Sequence, residues 1–214
     1  MRVHPSIQGR APEMADLAQA VRRLVAATML NRGEPADLIA CTRELARLAD
    51  RLEAQIPSPP PSLTNVEAGG TMIDGASMSE ALAFDVVIGR YSPLALPVEI
   101  EFDPPRALGR ATFTPPYEGP PGCVHGAVIA ATFDIVLTAA NVVGGMPGLT
   151  ASLSTRFARP TLLNEPTTFE ATVMRMEGRR IHTRGQALQR GIVTAESEGV
   201  FVHVDRERNR PSST

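Results

Sequence analysis

The sequence predicts an α+β protein in which a curved antiparallel sheet wraps around one long buried helix, with a pair of helices ahead of it. Three observations carry this. An apolar run from Val124 to Val143 has the composition of a buried helix; segments on both sides of it alternate apolar and polar residues as half-buried strands do; and two stripes at helical spacing precede residue 56. With 214 residues, 43% of them apolar, the chain has material for one domain of ordinary size plus an extra element.

Residues 1–56 read as an N-terminal helical hairpin. Met14, Leu17, Ala18, Val21, Leu24 and Val25 recur at helical spacing, Leu38, Leu45, Leu48 and Leu52 make a second stripe after Pro35, and Asn31-Arg32-Gly33-Glu34 breaks them apart. Such a pair is too small to be stable alone and is expected to pack on something else. Residues 57–80 hold Pro57, Pro59, Pro60, Pro61, Gly69, Gly70 and Gly75, the composition of a linker.

The main domain is expected over 81–204. Val98, Ile100 and Phe102 alternate with Glu99, Glu101 and Asp103, a strand whose partner is Ala107–Thr114 across the turn at Pro104-Pro105. Gly119-Pro120-Pro121-Gly122 makes a rigid loop leading into the apolar helix of residues 125–142. Four more strands follow at Leu149–Phe157, Thr167–Met176, Ile181–Leu188 and Ile192–Val204, and the short turns between them imply an antiparallel meander. Residues 205–214 form a polar tail.

Net charge is −2, from 21 basic and 23 acidic residues, which leaves no overall field for nucleic acid or an anionic membrane. Every basic residue is Arg, whose planar fork suits phosphate. Cys41 and Cys123 belong to no paired motif, and His4, His125, His182 and His203 have no metal-ligand spacing, so neither disulfide nor metal is expected. A cytoplasmic protein fits this cysteine usage, and no apolar stretch of signal-peptide type follows Arg2. The Val124–Val143 run contains Asp134 and Asn141 and is edged by Gly and Pro, so it reads as a buried helix and not a membrane span.

Asp134 is the residue in that helix that asks for a reason, because a carboxylate among Phe133, Ile135, Val136 and Leu137 must meet a partner, water or another chain. One reading is a carboxylate satisfied by Thr or backbone donors. Another comes from the helix start, where His125 and Gly126 stand: the first-turn N–H groups are unpaired, carry the positive end of the dipole and can face a developing oxyanion, and Gly admits close approach. Nine residues separate His125 from Asp134, roughly 13 Å along the axis, so one carbonyl cannot touch both. If the two cooperate, Asp134 of one subunit meets the helix start of another, and the chemistry requires a homodimer.

The run Tyr117-Glu118-Gly119-Pro120-Pro121-Gly122-Cys123-Val124-His125-Gly126-Ala127, followed by Asp134, then Thr150-Ala151-Ser152-Leu153 and Arg159-Pro160, resembles the phenylacetyl-CoA-thioesterase-like branch of the hotdog superfamily over about residues 96–204. The resemblance implies a hotdog fold and hydrolysis of an acyl-CoA thioester, with Asp134 activating water or attacking directly and the Gly126 amide holding the oxyanion across a dimer interface. It also implies that Thr150 positions the water or Asp134, that His125 organises the loop, and that Gly122 and Val124 lie at the substrate. Coenzyme A enters only as part of the substrate. Its phosphates need cations, for which Arg156 and Arg159 after the helix and Arg179 and Arg180 at a hairpin are candidates, each also readable as a solvated turn residue. Two residues depart from the family loop: Gly119 stands where many relatives carry Asn, and Ala127 where many carry a second Gly.

Cys123 as a nucleophile lacks a base held by a third group. The Asp/His signature of hydratases of the same fold is not found. A non-catalytic acyl-CoA sensor or scaffold is the second reading, with the hairpin recruiting a partner. Related hotdog proteins commonly pair dimers into tetramers, so a dimer of dimers is the further expectation.

Overall fold

The computed structural model describes residues 4–63 and 75–203; the expected tail at 205–214 and part of the expected linker, 64–74, lie outside the described residues. Two helices open the chain, α1 at Ala11–Leu30 and α2 at Pro35–Glu53. Both carry Pro in the first turn, where a missing N–H removes no helical bond, and Asn31 stops α1 by accepting the Gly33 N–H through its side chain at 2.7 Å. Packing is one-sided. α1 lays Ala11, Met14 and Ala15 on Ile7, Ala83 and Tyr91, and Arg22 donates to the carbonyls of Arg90 and Ser92 at 3.1 and 3.2 Å. α2 buries none of its residues, so the two helices occur where expected but do not form one packed unit.

A short helix, α3 at Gly75–Ala81, stands at the end of the stretch expected as linker. Met78 is fully buried in the main core, and Gly75 lies so close to the next strand that a Cβ would be 1.7 Å from the Ile100 carbonyl oxygen. Seven residues are too few for periodicity to reveal a helix; burial of Met78 creates it.

The strands are β1 (Val98–Asp103), β2 (Arg106–Thr112), β3 (Gly148–Phe157), β4 (Pro166–Glu177), β5 (Arg180–Gln189) and β6 (Ile192–His203). They form one antiparallel sheet in the order β1-β2-β4-β5-β6-β3. The expected four-strand meander is therefore corrected: β4, β5 and β6 are sequential hairpins, whereas β3 pairs with β6 at the far edge. The reason is the connection after β3. Residues 158–165 are too long for a tight turn and are tied elsewhere, with the Val124 N–H donating to the Thr161 carbonyl at 2.8 Å and the Leu163 N–H to the Gly122 carbonyl at 3.0 Å. The true hairpins turn where positive φ is needed, at Gly178 (φ 60°) and at Arg190 and Gly191 (φ 51° and 76°).

The sheet curves around the central helix, α4 at Gly126–Val143. Ile129, Phe133, Val136, Leu137 and Ala140 face Ala107, Phe169, Ala171, Ile181, Ala195 and Phe201, all buried. Contact is close because the sheet offers glycines beneath the helix: a Cβ at Gly109 would be 2.7 Å from Val136, and one at Gly199 3.1 Å from Leu137. The helix is long and apolar enough to cross a membrane, but half of it is buried inside this fold. Of its polar residues, Thr132 and Asn141 are fully buried, and Asn141 accepts the Thr183 hydroxyl of β5.

Candidate active site

The loop before α4 is built by its own polar groups. Glu118 accepts the Gly122 N–H at 2.6 Å, the Gly119 N–H donates to the Cys123 carbonyl at 2.9 Å, and the Cys123 N–H to the Pro120 carbonyl at 2.8 Å. The His125 N–H then donates to the Tyr117 carbonyl at 2.8 Å, with the Tyr117 ring packed edge-on to Phe113. Burial raises the Tyr117 hydroxyl pKa, opposed by the nearby Arg22 charge. Gly122, at φ 73°, makes the turn and ties the loop to the chain after β3. Val124 is only 4% exposed and packs in the core, so its side chain braces the loop and does not line an open surface.

His125 is the N-cap of α4. Its Nδ1 accepts the Ala127 N–H at 3.0 Å, so the neutral ring carries its proton on Nε2. The Gly126 N–H, by contrast, finds no acceptor among the described residues, and a Cβ at Gly126 would meet the Phe157 ring at 3.2 Å. Gly119 lies against the same cap: a Cβ there would be 2.8 Å from His125 Cα. A side chain at this position would have to push the cap aside.

Two turns further along α4, Asp134 is half-buried and accepts the Thr150 hydroxyl at Oδ1 at 2.7 Å. Its other oxygen has no protein donor among the described residues. A bulge between Thr150 and Ser152 makes this contact possible, because Thr150 opposite Phe201 and Leu153 opposite Gly199 both face the helix despite their odd spacing. The structure therefore brings Asp134 and Thr150 together at one end of β3, and Gly126 and His125 lie at its other end, beside Phe157. The outer edge of β3 carries Leu149, 70% exposed, and Phe157, 53% exposed.

The four candidate phosphate ligands divide between those ends. Arg156, beside Phe157, ion-pairs with Glu196, which also meets Arg184 at 3.3 Å. That hydrogen bond from Arg156 is the main reason the Glu196 carboxyl is held below its ordinary pKa. Arg159 donates to the Val193 carbonyl at 3.1 Å. At the Thr150 end, Arg179 donates to the His203 carbonyl at 3.1 and 3.3 Å, and Arg180 begins β5 with its charge acting on Glu177. A hollow of about 790 Å³ between α1, α3 and β1 is lined by Arg22, Leu96 and Ile100 but lies at the opposite edge of the sheet from Asp134. Sequence patterning did not single out Phe157 or Glu118: an aromatic ending an alternating strand looks like core, and a loop Glu looks like solvated charge.

The sequence signature of the thioesterase superfamily matches residues 121–196. A thioesterase superfamily protein of known crystal structure is 36% identical over 88% of this chain and 90% of its own, with a TM-score of 0.76. Zebrafish thioesterase superfamily member 2 is 16% identical over 62% of this chain and 99% of its own, with a TM-score of 0.53. The E. coli PaaI protein from the phenylacetic acid degradation operon is 17% identical over 51% of this chain and 80% of its own, with a TM-score of 0.48. No curated protein matches.

Proposed function

Because this chain belongs to the thioesterase superfamily, we propose that it hydrolyses an acyl-CoA thioester to a free acid and coenzyme A at sites shared between two copies. The observation that carries this reading is the Thr150–Asp134 hydrogen bond, which fixes a half-buried carboxylate with one oxygen unclaimed beside an open strand edge. Asp134 takes a proton from water, the resulting hydroxide adds to the thioester carbonyl carbon, and the oxyanion is held by a Gly126 N–H. Collapse expels the coenzyme A thiolate, which receives the proton. Direct attack by Asp134 is the nucleophilic variant of the same step.

The second copy supplies what one chain separates. Gly126 and Asp134 are eight residues apart on one helix, about 12 Å along its axis. Antiparallel pairing of β3 with another β3 about a two-fold axis sets the Thr150 end of one strand against the Phe157 end of the other. Asp134 of each copy then lies near Gly126 of the other. The same pairing draws Arg179 and Arg180 of one copy toward Arg156 and Arg159 of the second, a group of forks for the phosphates of coenzyme A. Gly122 contributes the turn that keeps the loop thin beside the substrate. A further pairing of dimers is compatible with this arrangement.

The test is thiol release from a panel of short, long and phenylacyl CoA thioesters by the native protein and by Asp134→Asn. The expected result is turnover lowered about 10²–10⁴-fold in the variant with its fold retained. Retained turnover would remove Asp134 from the chemistry, and binding without turnover by the native protein would make it an acyl-CoA sensor or scaffold.

A further inference from the structure

Phe157 is an aromatic residue left half in solvent against a glycine whose amide has no acceptor among the described residues. Along β3, the residues turned toward α4 are Thr150, Leu153, Thr155 and Phe157, opposite the buried Phe201, Gly199, Ser197 and Ala195 of β6. Across from them α4 presents Gly126, Ala130 and Asp134 at four-residue spacing, none of them fully buried. Helix and edge strand therefore set Gly126, Ala130 and Asp134 across from Thr150, Leu153, Thr155 and Phe157. The Asp134–Thr150 pair closes one end and the Phe157 ring stands over Gly126 at the other.

Strand alternation sorts the neighbours of this ring. Arg156 sends its guanidinium to the outer face of the sheet, where it meets Glu196 with most of its side chain exposed, while Phe157 turns to the inner, apolar side. A charged nucleotide is favoured on the outer side and a hydrocarbon on the inner one. We propose that Phe157 sets the upper size of the acyl group: its ring flanks the carbonyl position at Gly126, and the acyl chain must pass it to lie between α4 and β3. Short or compact acyl groups are then the preferred substrates. The inference rests on the acyl-CoA hydrolase reading above.

The experiment measures kcat/KM for acetyl-, butyryl-, octanoyl- and phenylacetyl-CoA with the native protein, Phe157→Ala and Phe157→Trp, alongside the Tm of each. Because the ring is half-exposed, neither variant is expected to unfold. Phe157→Ala should raise the octanoyl-to-butyryl ratio by about tenfold, the discrimination typical of small changes in an apolar pocket, and Phe157→Trp should lower it. An unchanged ratio in active variants overturns the inference, as does an equal rise in KM for all four thioesters, which would place the ring on the coenzyme A arm. If the native protein hydrolyses none of the four, the hydrolase reading fails and the inference fails with it.

Discussion

The two edges of the sheet are treated in opposite ways. At β1 the edge is covered: α3 presses Gly75 onto the Ile100 carbonyl, Met78 is buried behind it, and Glu99, Glu101 and Asp103 put charge along the rim. At β3 a ten-residue strand ends the sheet with no helix over its outer edge among the described residues, and its apolar Leu149 and Phe157 are exposed. The candidate catalytic carboxylate lies behind the bare edge and not behind the covered one. An edge meant to stay single is capped and charged; the β3 edge instead leaves Leu149 and Phe157 exposed, and the proposed function pairs it with a second copy.

That contrast is broken most severely by a charge on the open edge. Leu149→Asp sets a charge against the apolar Phe157 end of the partner strand, where it loses water without gaining a partner, so sedimentation should show dissociated chains and thiol release should fall close to background. Glu101→Gln at the opposite edge should change neither. Stripping the covered edge tests the other half: Met78→Ala leaves a cavity under α3 and should cost about 2–5 kcal/mol in chemical denaturation, with kcat unchanged in protein that remains folded. A smaller effect is expected from Thr150→Ala, which removes one charge-assisted hydrogen bond and should slow turnover about tenfold to a hundredfold while KM moves little.

The least effect belongs to the Arg156–Glu196 pair. Glu196 has a lowered carboxyl pKa, chiefly through the hydrogen bond from Arg156, so its contribution to stability is present above the ordinary carboxylate range and is lost as pH falls through the depressed value. The Tm advantage of the native protein over Glu196→Gln should therefore be visible at neutral pH and disappear in acid.

Much of this was readable from residue order. The six strands lie within a few residues of where alternation puts them, because each has one face in the core, and α4 follows from its unbroken apolar composition. Gly119 to Gly122 were legible as the loop that delivers the chain to α4, because Gly and Pro in that order make tight turns. Strand order was less so. Short separations favour neighbours, but the chain after β3 is held by the Gly122 and Val124 backbone, a contact that no local pattern records. The helix at Gly75–Ala81 exists through burial, and α2 was paired with α1 on the strength of its stripe although no residue of α2 is buried among the described residues. The Asp134–Thr150 contact was implied by family resemblance and depends on the bulge at Ala151, which shifts the facing of one residue.

The most direct test of a site shared between copies is complementation. Asp134→Asn removes the carboxylate; Gly126→Pro removes the amide proton at a helical first position that tolerates proline, preceded by His125 at φ −62° and ψ 134°, which suits a residue before proline. Each variant alone should be nearly inactive. Co-expressed in equal amounts, random pairing restores one intact site in each mixed dimer, so thiol release should return to about a quarter of native. Mixed protein that assembles yet stays as inactive as its parents would contradict the shared site and place both groups in the service of a single chain.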